Sequence, residues 1–174
     1  MFLSRLILLV SLVLPLSQAL AHEFWIEPQH YQIDNDGTLE AYFKNGQEFK
    51  GNSLSYFDRN STLFELATQE RRITLTPRLG DNPALNVPTP VKDALVAVLH
   101  ETAPSSLTYS QWEKFLKFVA HKDFQHAVRD HEAAGWSMVK FKEVYTRHVK
   151  SLIAVGSGKG ADKAYGLKTE FVAL

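Results

Sequence analysis

The sequence predicts a mainly β protein, a β-sandwich of immunoglobulin-like or jelly-roll-like type carrying a block of two to three helices. Three observations carry this reading. Several short runs in the first hundred residues alternate with a period of two and are bounded by turn residues. From Ser110 onward the apolar spacing lengthens to that of a helix. Strands come first and helices later, without the strict alternation that a doubly wound α/β fold requires.

The chain opens with a segment of a different kind. Arg5 is the only charge in residues 1–21, and an apolar run from Leu6 to Leu16 follows it. Ser17 and Gln18 break the run, and Ala19-Leu20-Ala21 closes it. A charged start, a short apolar core and Ala-x-Ala make a cleavable secretory signal. A membrane span needs about 20 apolar residues, and Pro15 and Gln18 interrupt this run too early. The expected organisation is a signal peptide over 1–21 and one domain over 22–174, with the helical insertion at about 110–155. In a bacterium such a leader delivers the mature chain to the periplasm.

In the mature chain, Phe24 and Ile26 share one face of a first strand, Glu23, Trp25 and Glu27 take the other, and Pro28 ends it. Leu39, Ala41 and Phe43 alternate with Thr38, Glu40 and Tyr42 between an Asp36-Gly37 turn and an Asn45-Gly46 turn. Residues 62–67 and 71–76 read as a hairpin, and 78–93, with Pro, Gly80, Asp81 and Asn82, as a loop. Ala94 to Leu99 is apolar on both faces, which suits a strand inside a sheet.

Ser110 and Glu113 have capping-box spacing, and Trp112, Phe115, Leu116 and Val119 follow at i, i+3, i+4, i+7. Phe124, Ala127 and Val128 mark a second helix that Gly135 ends. Tyr145, His148, Val149, Leu152 and Ile153 mark a third, and Lys168 to Ala173 reads as a closing strand. Phe24, Ile26, Phe43, Leu75 and Leu99 are expected in the core, with Trp112, Phe115 and Leu116 packing the helical block onto the sheet.

Composition removes several functions. The chain has 19 basic and 19 acidic residues, so no basic field collects nucleic acid. Without Cys there are no disulfides, thiolate zinc sites or Cys nucleophiles. Gly156-Ser157-Gly158-Lys159-Gly160 is not a phosphate loop, because Gly160 stands where Ser or Thr is needed and the glycines follow an expected helix. His131-Glu132 lacks the second His of a zincin helix, and no Gly-x-Ser-x-Gly elbow is present. Asn60-Ser61-Thr62 is a formal glycosylation sequon only.

His22 is the exception. After cleavage it carries a free α-amino group and an imidazole on one Cα, and the amine and Nδ1 can close a chelate ring on one metal ion. The α-amino pKa of about 7.7–8.0 is low enough for a metal to displace the proton. A further imidazole completes three nitrogens, a set that suits Cu(II), or Ni(II) with another donor. His100 ends the central strand at a sandwich rim and is the first candidate, and His148 the second. His121, His126 and His131 are five residues apart and fan around helices, so they are expected at the surface, and His30 falls in a turn. The metal set expected is thus His22, His100 and His148, with no catalytic residue. A non-metal interaction module, with an apolar patch near Trp25 or Tyr42, and a copper oxidase built on a histidine brace are the rivals.

The stretch Ala21-His22-Glu23-Phe24-Trp25-Ile26-Glu27-Pro28 resembles the mature start of an exported bacterial family, domain of unknown function 4198. Gly46-Gln47-Glu48-Phe49-Lys50-Gly51, the run from Lys142 to Gly156, and Tyr165-Gly166-Leu167-Lys168-Thr169-Glu170 resemble its later motifs. The resemblance runs from His22 to the C-terminus and covers the family's first domain; members usually continue into a second, immunoglobulin-like one. It implies a periplasmic component of cobalt or nickel transport. Taken with the nitrogen set at His22, the expectation is a binding protein rather than an enzyme, loaded with a divalent transition metal (Ni, Co or Cu) and partnered by a membrane metal-uptake system.

Overall fold

The computed structural model describes residues 22–174, so the signal-peptide reading of residues 1–21 lies outside the described residues. Two sheets face each other across one core. In the first, β1 (Glu23–Pro28) pairs antiparallel with one edge of β3 (Thr38–Gln47). β4 (Lys50–Leu54) and β7 (Leu85–Pro88) share the other edge of β3. The second sheet has the order β2-β11-β8-β5-β6, built from β2 (Gln32–Ile33), β5 (Ser61–Ala67), β6 (Arg72–Thr74), β8 (Ala94–Thr102) and β11 (His148–Val155). Only β2 runs parallel to its neighbour, β11. This is a mainly β, sandwich-type fold with a helical insertion, as the sequence predicts.

The alternation along each strand explains the layers. Ile26, Leu39, Ala41 and Phe43 from one sheet meet Phe64, Leu66, Val96, Val98, Val149 and Ile153 from the other in the main core. Leu99 and Ala97 point out of the back of β8, where Tyr165 and Leu167 of the C-terminal segment cover them. That is why Ala94–Leu99 reads as apolar on both faces. Lys150 fastens this segment: its ammonium lies 2.8 Å from the Asp162 carboxylate and 3.0 Å from that of Glu170.

The insertion leaves at the end of β8 and returns at the start of β11, which are paired neighbours. Its neck is closed by the Thr102 N–H donating to the Arg147 carbonyl (3.0 Å) and the Arg147 N–H donating to Thr102 Oγ1 (2.8 Å). Beyond the neck, β9 (Ser105–Tyr109) and β10 (Phe141–Tyr145) form their own antiparallel ribbon, and α1 (Trp112–His121) and α2 (Gln125–Ala133) connect them. Tyr109, Phe115 and Val119 make a small separate core with Trp112, Phe118 and Phe141.

Several local expectations are corrected. The third helix is absent: residues 141–155 form β10 and β11, so the helices end at Ala133. Lys168–Ala173 is irregular chain rather than a strand. α1 is capped at Gln111 without a side-chain hydrogen bond, so Ser110 and Glu113 form no capping box. Leu116 is exposed, and Phe115 packs on the β9–β10 ribbon rather than on the main sheets. Asn45-Gly46 lies within β3, and the turn is made by Glu48 and Phe49, both at positive φ. Gly46 is instead a close-approach glycine, because a Cβ there would strike the backbone of Lys50 and Gly51.

Candidate metal centre

His22 stands just before β1 and is exposed. By strand alternation it continues the inward row of Phe24 and Ile26, about 7 Å of chain before Phe24. Arg147, at the neck of the insertion, reaches toward the His22 carbonyl with a 3.5 Å contact. The N-terminal residue of the described chain therefore sits at the end of the sandwich from which the insertion departs.

His100 lies at this same end, near the close of β8, with Val149 opposite on β11 and Phe64 opposite on β5. It faces the main core and is only 3% exposed. Its ring meets those of Phe24, Phe43 and Phe64 at centroid distances of 5.6, 4.3 and 5.5 Å. Burial pushes its pKa down to about 4, so the imidazole is neutral at physiological pH. Nε2 lies 2.8 Å from Ser61 Oγ, while Nδ1 is buried with no hydrogen-bond partner. A neutral imidazole with one nitrogen held by a hydroxyl and the other unpartnered has the protonation state and supporting contact of a metal ligand.

His148 is placed apart from these two. It pairs with Glu101, one residue out of phase with His100, and points to the opposite face of the sheet. There it lines a pocket with Lys150, Leu152, Asp162 and Glu170. Its Nδ1 is 3.8 Å from Glu101 Oε1 and its Nε2 3.2 Å from Thr146 Oγ1. The structure thus places His22 and His100 at one end of the sandwich, and leaves His148 on the back of the sheet.

The remaining histidines divide. His30, His121 and His126 are exposed. His131, expected at the surface, is instead buried in the insertion, against Trp112, Phe115, Trp136 and Phe141, with Nε2 3.0 Å from the Ser137 carbonyl. Its partners come from α1, the loop after α2 and β10, so helical spacing alone does not reveal its burial. Ser61, which holds His100, stands out in the sequence only as part of a sequon; the cross-strand pairing of β5 with β8 gives it its role.

Among the described residues, no group of three or more His, Asp or Glu side chains is arranged to hold a metal ion. A brace needs fewer side chains, because the N-terminal amine supplies one nitrogen. A family model described as a domain of unknown function, DUF4198, matches residues 19–174. The chain belongs to this family. The DUF4198 match begins just before His22 and spans both sheets, the insertion and the C-terminal segment. Neither the curated proteins nor the solved structures contain a match to the chain. No helix among the described residues is long and apolar enough to cross a membrane.

Proposed function

We propose that this DUF4198 chain is exported, matured to begin at His22, and binds a divalent transition metal in the periplasm. The metal is nickel or cobalt, or copper in the same nitrogen set. The α-amino group and imidazole of His22 chelate it, and His100 adds the third nitrogen. The protein hands the ion to a membrane metal-uptake system and is not itself an enzyme. The observation that carries this reading is the buried, neutral His100 with an unpartnered Nδ1, at the same end of the sandwich as His22. The half-buried Phe24, two residues after His22, packs its ring on the His100 imidazole with centroids 5.6 Å apart, so this side chain must shift for both residues to share an ion.

The test is a titration of the mature protein with Ni(II) and Cu(II) by calorimetry. One tight equivalent is expected, and His100→Ala should weaken it while His126→Ala should not. Binding weaker than about 10 μM, roughly 7 kcal/mol, would remove the metal function, since exposed histidine pairs on any protein compete at that level. Consumption of reductant and oxygen by the copper-loaded protein would move the reading to a brace oxidase.

A second reading, an interaction module of the cell envelope, is favoured by a different observation. Residues 132–140 are all exposed, and Trp136 (65%), Met138 and Val139 (61%) present apolar side chains there. The Ser137 hydroxyl braces this turn through the backbone of Val139. Near Trp25, the exposed Phe49 ring packs edge-on against the Trp25 ring at 5.8 Å, while Trp25 and Tyr42 themselves are half-buried and hydrogen-bonded to Glu27 and Glu40. A photo-crosslinking residue placed at Met138 in cells should yield a discrete adduct under this reading, and none if the patch has no partner.

A further inference from the structure

We infer that Ser61 fixes the tautomer of His100 with the proton on Nε2, so that Nδ1 is the nitrogen this residue presents to a metal ion. The inference rests on the metal reading above and deepens it by naming the donor atom and the residue that selects it.

A neutral imidazole has one N–H and one lone pair, so two arrangements of the Ser61–His100 contact are possible. In one, the Ser61 hydroxyl donates to Nε2, and the proton must then sit on Nδ1. That N–H would be buried with nothing to receive it, since Nδ1 has no partner and Phe24, Phe43 and Phe64 surround the ring. Orphaned buried N–H groups are the rarer and costlier case. In the other arrangement, His100 Nε2–H donates to Ser61 Oγ at 2.8 Å. The Ser61 hydroxyl then turns its own proton to the Leu63 carbonyl, a long contact of 3.5 Å that has no use in the first arrangement. Both donors have acceptors, and only a lone pair on Nδ1 is unpaired. A lone pair is what a cation needs.

Backbone geometry holds the relay in place. Ser61 pairs with Thr102 and Leu63 with Glu101, and the register shifts between Ser61 and Leu63. This irregularity in β5 sets the Ser61 side chain against the His100 ring, which lies on the opposite strand two residues before Thr102. A bulge that re-aims one side chain beside a site is a common use of such irregularities.

The test uses the metal-free mature protein labelled with 15N at histidine, and long-range 1H–15N correlation spectra. The expected His100 pattern is the Nε2–H form, with a pyridine-like Nδ1. Zn(II), a diamagnetic probe, should shift the Nδ1 resonance and leave Nε2–H in place. Ser61→Ala should mix the tautomers and weaken Ni(II) binding about 10–100-fold, the range expected for losing a supporting hydrogen bond to a ligand. Ser61→Thr, which keeps the hydroxyl and suits a strand, should restore both. An Nδ1–H form in the wild type would overturn the inference, and so would a Ser61→Ala variant whose tautomer changes while Ni(II) affinity does not. Failure of the wild type to bind Ni(II) or Zn(II) at all would instead count against the metal reading itself, because the tautomer is read without metal.

Discussion

The phenyl ring of Phe24 lies against the imidazole of His100, with centroids 5.6 Å apart and planes tilted by 49°. This contact joins the first strand of one sheet to the central strand of the other, near that strand's end. It also ties the position of His22 to that of His100, because His22 precedes Phe24 by only two residues.

The shell around His100 makes stability depend on pH. Its folded pKa of about 4 is below the ordinary 6.5, because burial disfavours the charged ring. Between these values the unfolded chain binds a proton that the folded chain does not. Stability is therefore full above pH 6.5 and falls as the pH drops toward 4, by about 3 kcal/mol for a shift of this size. Urea titrations of the metal-free protein at pH 7.5 and 4.5 should show a larger loss for the wild type than for His100→Phe. Equal losses would mean that His100 titrates like an exposed residue.

The C-terminal segment should respond to acid and to base. Burial opposes the charges of Asp162 and Glu170, but hydrogen bonds from Lys150 and from backbone amides outweigh it and lower both carboxyl pKa values. Burial also opposes the Lys150 charge, and its two carboxylates outweigh that to raise its pKa. The carboxylates' contribution is present above their unfolded pKa values and is lost as pH falls through the lowered ones. The Lys150 contribution is present below its unfolded pKa and is lost only as pH rises through the raised one. Lys150→Met leaves two carboxylates unpaired and should cost about 3–5 kcal/mol. Limited proteolysis near residues 161–174 should become faster in that variant, with the rest of the chain protected.

Phe115→Ala should cost about 3–5 kcal/mol, because its ring is a centre of the insertion's own core. Hydrogen exchange should place the loss in residues 105–145 and spare the β8–β11 pairing. A denaturant midpoint unchanged from the wild type would show that α1 does not dock on the β9–β10 ribbon.

Much of this fold was legible because its strands carry plain signals. Ile26 and Phe43 fall in the core as their alternation requires, and the Ala94–Leu99 run, apolar on both faces, is the central strand. The β11 segment has the apolar spacing of a helix for a physical reason. Val149, Ile153 and Val155 face the main core, while Leu152 is covered by the C-terminal segment on the other side. A strand buried on both faces loses its period of two, and His148, Val149, Leu152 and Ile153 then mimic helical spacing. The glycines after Val155 consequently follow a strand, yet irregular chain rather than a helix continues from them, which still excludes a phosphate loop. At the candidate site, chain position singled out His22 and His100. The separation of His148, and the support from Ser61, depend on which strands pair and in what register.

Maturation is the precondition of the metal reading. Exported protein should have the intact mass of a chain beginning at His22, following the Ala19-Leu20-Ala21 pattern. A start at any other residue leaves His22 without a free α-amino group.

The most direct measurement compares two proteins that differ by one residue: the chain that begins at His22, and the same chain with one alanine before it. The extension moves the amine away from the imidazole and leaves every side chain in place. Calorimetric titration with Ni(II) should give one tight equivalent for the first protein and an affinity at least about tenfold weaker, 1.4 kcal/mol or more, for the second. Equal affinities would contradict the account, since the N-terminal amine would then take no part in holding the ion.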